Sequence, residues 1–573
     1  MSYFPAISGE VTKFYREIFG RIGKNVYFCR CSNLWKYMCT YINKGNDAFK
    51  GIIQDAYVDK TGLIAVINQT LNTERRYTCV TRCRRFGKSM AVDMLCAYYD
   101  KSCDSRSLFE GLSISEPDKV VDGKMENKQY EEHLNKYPVI CLDITDFTTK
   151  YKNNSDIVNL IQEAIIDDLL LTYPDVVRKE SDDLMDVLIR IQSRTGEKFI
   201  MIIDEWDAIC REFSETPSIM DEYVSMLRRL FKGGSSKKVF AGVYMTGILP
   251  IKKYNVQSAL NNFEEYSIVL PGKLDSYFGF TPSEVEKVAE GGEVSVAELR
   301  DWYDGYEIGK EKSLYNPYSV MKAVSRGYCS NFWESTSAYD VVSSYINRNF
   351  EGLKDDIIYM LGGGCCSVDP SGFENDPSII RTKDDALTIL IHLGYLAYNM
   401  AKKQCYIPNK EVRQEMEKAV KACNWEHLNK ALNASEKLFA DTLDMNEEAV
   451  AKGIELAHDE ETSILSYNDE NSLACVLSIA YYYAKNDYIT HRELASGKGF
   501  ADIVFIPRRN VDTPALVIEL KYNKCADAAI EQIKRMEYPA KVSEYVGDIL
   551  LVGINYDKKT KKHSCKIERF CKK

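Results

Sequence analysis

Between residues 77 and 270 the chain alternates short β-branched and aromatic runs with stretches whose apolar residues recur at helical spacing. The runs are YTCVT (77–81), PVICLDIT (138–145), FIMIID (199–204), VFAGVYMT (239–246) and YSIVL (266–270). FIMII is apolar without interruption, as a strand covered by helices on both faces must be. The pattern predicts an α/β domain built on a mostly parallel sheet, with its chemistry on loops at the strand ends.

From 275 to 400 the period becomes helical, and the glycine cluster LGGGCC (361–366) marks a joint. Residues 386–409 read as a helix followed by a short hairpin, a winged-helix-like arrangement. Beyond 410, two helical stretches lead into a second α/β region with strands FADIVFI (500–506), ALVIELKY (515–522) and DILLVGI (548–554). Four parts follow: an N-terminal extension (1–50), a P-loop-type domain (51–275), a helical lid and connector (276–406) and a C-terminal α/β domain (407–573).

A chain of 573 residues exceeds one hydrophobic core, and 45% hydrophobic with 28% charged residues is ordinary globular usage. There is no run of 18 uncharged apolar residues, and the N-terminus lacks a basic start followed by an apolar stretch, so the expectation is a cytoplasmic protein without membrane contact. The 18 cysteines include no C-x-x-C pair, which favours free thiols in a reducing compartment over zinc or disulfides. The 6 histidines show no ligand spacing and read as structural. A net charge of −10 argues against nonspecific coating of nucleic acid, leaving only local basic clusters such as Arg82 to Arg85 and Lys558 to Lys562.

The first chemical constellation follows YTCVT, where RCRRFGKSM leads into a helix. Gly87 lets the backbone approach phosphates, Lys88 places charge on the β and γ oxygens, Ser89 can ligate Mg2+, and the helix N-terminus adds its dipole. The usual P-loop has glycine five positions before Gly87, where this chain has Arg82. The bland reading is a chance GKS at a helix start. Against it stands FIMIIDEWD, in the order and at the distance of a Walker B strand. Asp204 would hold the metal, and Glu205 would orient or deprotonate the attacking water. An acidic pair after a strand can also be a helix cap. Thr246, at the end of VFAGVYMT, stands where a γ-phosphate sensor would. The cofactors expected are ATP and Mg2+.

Together YVDKTGLI (57–64), RCRRFGKSM, IIDEWD, MTGI (245–248), GFTPSEV (279–285), WYDGY (302–306) and YNPYSV (315–320) resemble the bacterial AAA-ATPase-like family. The resemblance spans about residues 50–350. Members commonly have proline where this chain has Cys83, while Arg82, Arg84 and Arg85 match the family's arginine-rich loop, so Arg85 joins the nucleotide-binding set. The resemblance implies a helical lid after 275 and, in many members, a C-terminal PD-(D/E)XK nuclease-superfamily domain.

In the C-terminal region Asp502 opens one strand, and Glu519 and Lys521 share a face of the next. If RRNVDT (508–513) is the turn, its midpoint sets Asp502 opposite Glu519. Two carboxylates and a lysine on one face can hold one or two Mg2+ ions against a phosphodiester. The bland reading is an exposed hairpin with an ordinary Glu/Lys mix. GKGFADIVF, VIELKY and EQIKRMEY resemble the PD-(D/E)XK nuclease-like domain over about 407–560. That resemblance implies that Asp502 and Glu519 bind metal, Lys521 completes the centre, and Gln532 and Tyr538 support it. It also implies that Glu470, with Glu493 as competitor, is the acid on the first core helix.

The expected function is ATP-gated processing of nucleic acid, DNA or RNA, by a P-loop ATPase fused to a metal-dependent nuclease-like domain. The rival is an ATP-driven switch with a non-catalytic docking domain. A phosphotransferase would need a second substrate pocket that no motif marks. A homo-oligomer would let Arg228 or Arg229 serve a neighbouring subunit's nucleotide.

Overall fold

The computed structural model describes residues 40–570 apart from internal stretches, the longest of which are 334–349, 462–479 and 536–546. Most of the N-terminal extension, with Glu470 and Tyr538, therefore lies outside the described residues, as do the side chains of Asp502 and Glu493.

Helices α1 (Asp47–Gln54) and α2 (Gly62–Asn68) precede strand β1 (Tyr77–Thr81), which runs through a loop into α3 (Lys88–Tyr99). With β2 (Val139–Asp143), β3 (Phe199–Asp204), β4 (Phe240–Gly247) and β5 (Glu264–Tyr266), β1 forms a parallel sheet in the order β2-β3-β4-β1-β5. All six residues of β3 are buried, because apolar clusters cover both faces. Residues 41–43 cover the β2 edge through Tyr41 O to Cys141 N and Asn43 N to Val139 O, and Asp168 accepts the amides of Thr40 and Tyr41.

Two predicted strands are shorter in the structure. PVICLDIT ends at Asp143, whose carboxylate accepts the Thr145 amide and caps a helix beginning at Ile144. Of YSIVL only Tyr266 is strand, as the last residue of β5, which begins upstream at Glu264; Ser267 N and Leu270 O then close a turn reinforced by Leu270 N to Ser267 Oγ.

After the short helix α4 (Ala208–Glu212), the lid region contains α5 (Pro317–Arg326) and a small hairpin of Tyr306–Ile308 with Glu311–Leu314. Lys60 Nζ straps the lid to the sheet domain, 2.7 Å from Glu284 Oε1 and 2.8 Å from Ser276 O. Strand β6 (Cys366–Ser367), helix α6 (Lys383–Leu393), β7 (Ala397–Asn399) and β8 (Gln404–Tyr406) follow, and the three strands form an antiparallel sheet in the order β6-β8-β7. The helix and hairpin expected at 386–409 are thus present, with one further short strand. Helix α7 (Lys410–Ala422) follows, and the described residues after it add the helices Glu426–Leu443 and Glu447–Glu461.

The C-terminal sheet is mixed: β9 (Tyr488–Ser496), β10 (Gly499–Pro507), β11 (Ala515–Tyr522), β12 (Ile549–Asp557) and β13 (Lys562–Phe570), in that order. Only β11 and β12 run parallel, joined across α8 (Ala526–Arg535). Ile530 and Ile533 of α8 pack in one cluster with Val517 and Leu551. That architecture is consistent with a restriction-endonuclease-like fold, as the parallel sheet is with a P-loop NTPase-like core.

Arg82, where a P-loop usually has glycine, is fully buried. Nη1 donates to Thr81 O and Tyr266 O, Nη2 donates to Leu274 O, and the guanidinium lies 5.3 Å from the Phe278 ring centroid. Burial lowers its pKa to about 10, which leaves it charged at neutral pH. Arg82→Met is expected to destabilise the amino-terminal domain by about 3 kcal/mol, since it leaves buried carbonyls unpaired. Scanning calorimetry of the full chain measures this as a lowered transition; an unshifted one would show that the staple contributes nothing.

Candidate functional site

The loop after β1 carries Gly87 at φ 87°, a left-handed conformation that favours glycine, and this residue caps α3. Lys88 and Ser89 open that helix. Lys88 is buried, and its Nζ lies 3.2 Å from Cys83 O and 3.4 Å from Glu205 Oε1. The geometry joins the loop to the end of β3, where Asp204 is buried and accepts the Glu205 amide at 2.9 Å. Burial pushes the Asp204 carboxyl up to about 6, against a hydrogen bond from Ser89 and with a smaller push from the Glu205 charge. Burial would raise Glu205 too, yet the charges of Lys88 and Arg211 hold it below the ordinary glutamate range.

Glu205 has φ 48°, outside the usual region for a side-chain-bearing residue. Two bonds fix this turn, the one to Asp204 and Trp206 N to Thr246 O at 2.9 Å. Asp207, fully buried, accepts from Ile248 N at 3.2 Å, Leu249 N at 3.0 Å and Arg211 Nε at 3.0 Å. Gly247 is required where β4 passes this turn: a Cβ there would lie 2.4 Å from Asp207 Oδ1 and 2.6 Å from Trp206 Cδ1.

A cavity of about 940 Å³ opens over these groups, and its lining includes Arg84, Lys88, Ser89, Glu205 and Arg211 together with Asp143 and Glu212. Ile52, Tyr57, Met94, Tyr277 and Phe280 add apolar and aromatic lining. Arg85 also lines it, its guanidinium 4.7 Å from the Tyr318 ring centroid and its Nη1 2.6 Å from Phe332 O. Cys83, at the position where proline is common in the resembled family, is buried against Gly394 just beyond α6.

Among the sequence-predicted residues, Arg85, Gly87, Lys88, Ser89 and Glu205 line this cavity, and Asp204 meets Ser89 behind it. Thr246 is not brought to it. That residue is fully buried in register with Val80, and its hydroxyl has no hydrogen-bond partner among the described residues. Arg228 and Arg229 lie on Pro217–Lys232, where Arg229 pairs with Asp183 at 2.9 Å and Asp186 at 3.3 Å. Sequence reasoning passed over Asp207 and Arg211, and it named Arg84 in the arginine-rich loop without placing it in the site. The available signal was the i, i+4 spacing of Asp207 and Arg211 right after the acidic pair.

In the C-terminal sheet the pairs Ile503↔Ile518 and Val504↔Val517 continue by one step to set Asp502 across from Glu519. Glu519 is buried, Lys521 Nζ lies 2.7 Å from its Oε1, and Gln532 of α8 donates to the same oxygen. Glu519, Lys521 and Gln532 are therefore brought together. Among the described residues no group of three or more His, Cys, Asp or Glu is arranged to hold a metal.

Residues 44–257 match the family described as predicted AAA-ATPase, and residues 468–565 match the PD-(D/E)XK nuclease superfamily. The chain joins an AAA-ATPase-like domain to a PD-(D/E)XK nuclease-superfamily domain. The loop, the acidic turn and most of the cavity lining fall within the AAA-ATPase-like match, and β9 to β12 within the nuclease-superfamily match. No curated protein matches the chain. Among solved structures, the ORC2 protein of Aeropyrum pernix (ADPNP-ADP complexes) is similar at 11% identity, over 65% of this chain and 97% of that one, with a TM-score of 0.29. No described helix is long and apolar enough to cross a membrane.

Asp204 of the AAA-ATPase-like domain has its carboxyl near 6 in the folded chain against 3.8 ordinarily. The stability it contributes is thus complete below about pH 4 and lost as pH rises through about 6. Asp204→Asn is expected to flatten the pH dependence of unfolding across that window and to stabilise the ligand-free protein at pH 7. Denaturant titrations of parent and variant from pH 4 to 8 measure it, and parallel curves would contradict the assignment.

Proposed function

We propose that the protein binds and hydrolyses ATP in the AAA-ATPase-like domain and uses that cycle to gate metal-dependent cleavage of nucleic acid by the nuclease-superfamily domain. The observation that carries the reading is the convergence of Lys88, Ser89 and Glu205 in a cavity that also has aromatic lining, with Asp204 bonded to Ser89 behind it. A triphosphate suits the charged groups and a purine the aromatic ones.

Lys88 would hold the β and γ oxygens, and Gly87 lets the backbone come close to them. Ser89 and Asp204 fit Mg2+, because a hydroxyl and a buried carboxylate are hard oxygen donors and the raised Asp204 is relieved by a cation. When bound, the ion would neutralise charge on the phosphates. Glu205 would take a proton from the attacking water. The low value that Lys88 and Arg211 give it keeps it ionised at neutral pH.

In the second domain Asp502, Glu519 and Glu470 would be the metal ligands, Lys521 would stabilise charge on the phosphodiester, and Gln532 and Tyr538 would support the site. The contacts of Lys521 and Gln532 with Glu519 Oε1 support a preorganised centre. A division of labour at 51–275, 276–406 and 407–573 goes with this reading.

Lys88→Ala is expected to lower ATP affinity at least tenfold, and Glu205→Gln to keep affinity while slowing hydrolysis at least 100-fold. Titration and turnover of the purified variants test both; parental affinity in the first or parental turnover in the second removes that residue from the site.

Asp502→Ala and Glu519→Ala are each expected to abolish cleavage of labelled DNA and RNA with Mg2+ or Mn2+ while ATP binding persists. A parent that binds ATP but cuts neither polymer would instead make the second domain a docking surface.

A further inference from the structure

Three cations of the cavity gather around one glutamate. Lys88, Arg84 and Arg211 all line the cavity, and all three act electrostatically on Glu205. Arg211 Nη2 lies 2.5 Å from Glu205 Oε2 and its Nε 3.0 Å from Asp207 Oδ2, so two carboxylates hold one edge of the guanidinium. Its Nη1 makes no hydrogen bond to a described residue, and the side chain keeps 17% of its exposure. Arg84 makes no hydrogen bond or ion pair with any described residue. Burial and the neighbouring Arg211 charge both lower its pKa, while Glu205 raises it. The two guanidinium charges repel each other, Glu205 answers both, and a further anion entering the cavity beside them would relieve that repulsion.

From this geometry we infer that Arg211 and Arg84 of the same chain are the arginines that contact the γ-phosphoryl group, so that the hydrolytic site is complete without a neighbouring subunit. The inference rests on the ATPase reading above. In the ligand-free chain Arg211 occupies Glu205. With ATP bound, Arg211 keeps Asp207 through Nε and turns its outer nitrogens to the γ-phosphoryl oxygens, which frees the Glu205 carboxylate for water. Water oxygen then bonds to the γ-phosphorus, the bond from that phosphorus to the β-γ bridging oxygen breaks, and ADP leaves with the electron pair. The water proton passes to Glu205. Arg211 and Arg84 stabilise charge on the transferring group, the part that arginine fingers play from outside in other phosphoryl-transfer sites.

The test uses the full chain as parent, Arg211→Ala, Arg211→Lys, Arg84→Ala and Lys88→Ala. Arg211→Ala should lower kcat roughly 10³-fold with little change in KM, and added guanidinium ion should restore part of it. Arg211→Lys, which keeps a cation beside Asp207 and guards against a folding defect, should remain at least tenfold slow. Independently of turnover, the parent should bind a non-hydrolysable ATP analogue more tightly than ADP, and Arg84→Ala should lose that preference. Mixing Lys88→Ala with Arg211→Ala should give no activity beyond the sum of the two.

Recovery on mixing would show that the arginine acts across subunits and overturn the inference. So would parental kcat in Arg211→Ala, or an undiminished analogue preference in Arg84→Ala. A parent that neither binds nor hydrolyses ATP would remove the ATPase reading itself, a result distinct from an active parent with indifferent arginines.

Discussion

Arg82 gives its guanidinium to the carbonyls of Thr81, Tyr266 and Leu274, and thereby ties the end of β1 to the end of β5 and to the short turn Gly272–Leu274 that follows it. The loop that continues to Lys88 starts from this point. A glycine there would supply flexibility for a tight turn; the arginine supplies a rigid anchor instead, with the backbone further held by Arg82 N to Gly247 O at 3.1 Å. Since Gly247 also lies against Trp206 and Asp207, the loop after β1 and the acidic turn are fixed to the same stretch of β4. Their separation is therefore set by the sheet and not by flexible side chains.

The same loop reaches outward through its next arginines. Arg85 donates to Phe332 O and stacks on Tyr318, while the neighbouring Phe332 amide and Ser319 hydroxyl both donate to Glu411, the buried carboxylate near the start of α7. Burial raises the Glu411 carboxyl to about 7. A short covalent and hydrogen-bonded path thus connects the loop after β1 with α5 and with α7.

Much of this was legible from the chain alone where the signal was local. Alternating strands and helices with Lys88, Ser89, Asp204 and Glu205 at strand ends required only periodicity and motif order, and the 508–513 turn gave the register that β10 and β11 continue toward Asp502 and Glu519. Less was readable where tertiary contact decides. Thr246 stands at a strand end as expected, but its side chain is enclosed beneath the neighbouring strands, a matter of which face it occupies and how deep. Arg82 looked like a departure from a motif because its three acceptors come from distant segments. Arg84 belonged to a recognisable arginine-rich loop and Arg211 carried no motif, and only the fold brings both to Glu205. YSIVL had the composition of a longer strand, and a serine hydroxyl turned it at Tyr266.

Glu205 holds its carboxylate on a backbone at φ 48°, a conformation in which glycine or asparagine rests more easily. Backbone preference and charge pairing therefore pull that position in opposite directions. A glycine would relax the turn by about 1 kcal/mol, but it would strip buried Lys88 and Arg211 of the carboxylate they share, a loss of about 3 kcal/mol or more. The strained glutamate is thus kept by the charges around it, and an exchange to glycine would be tolerated only together with loss of one of those two cations.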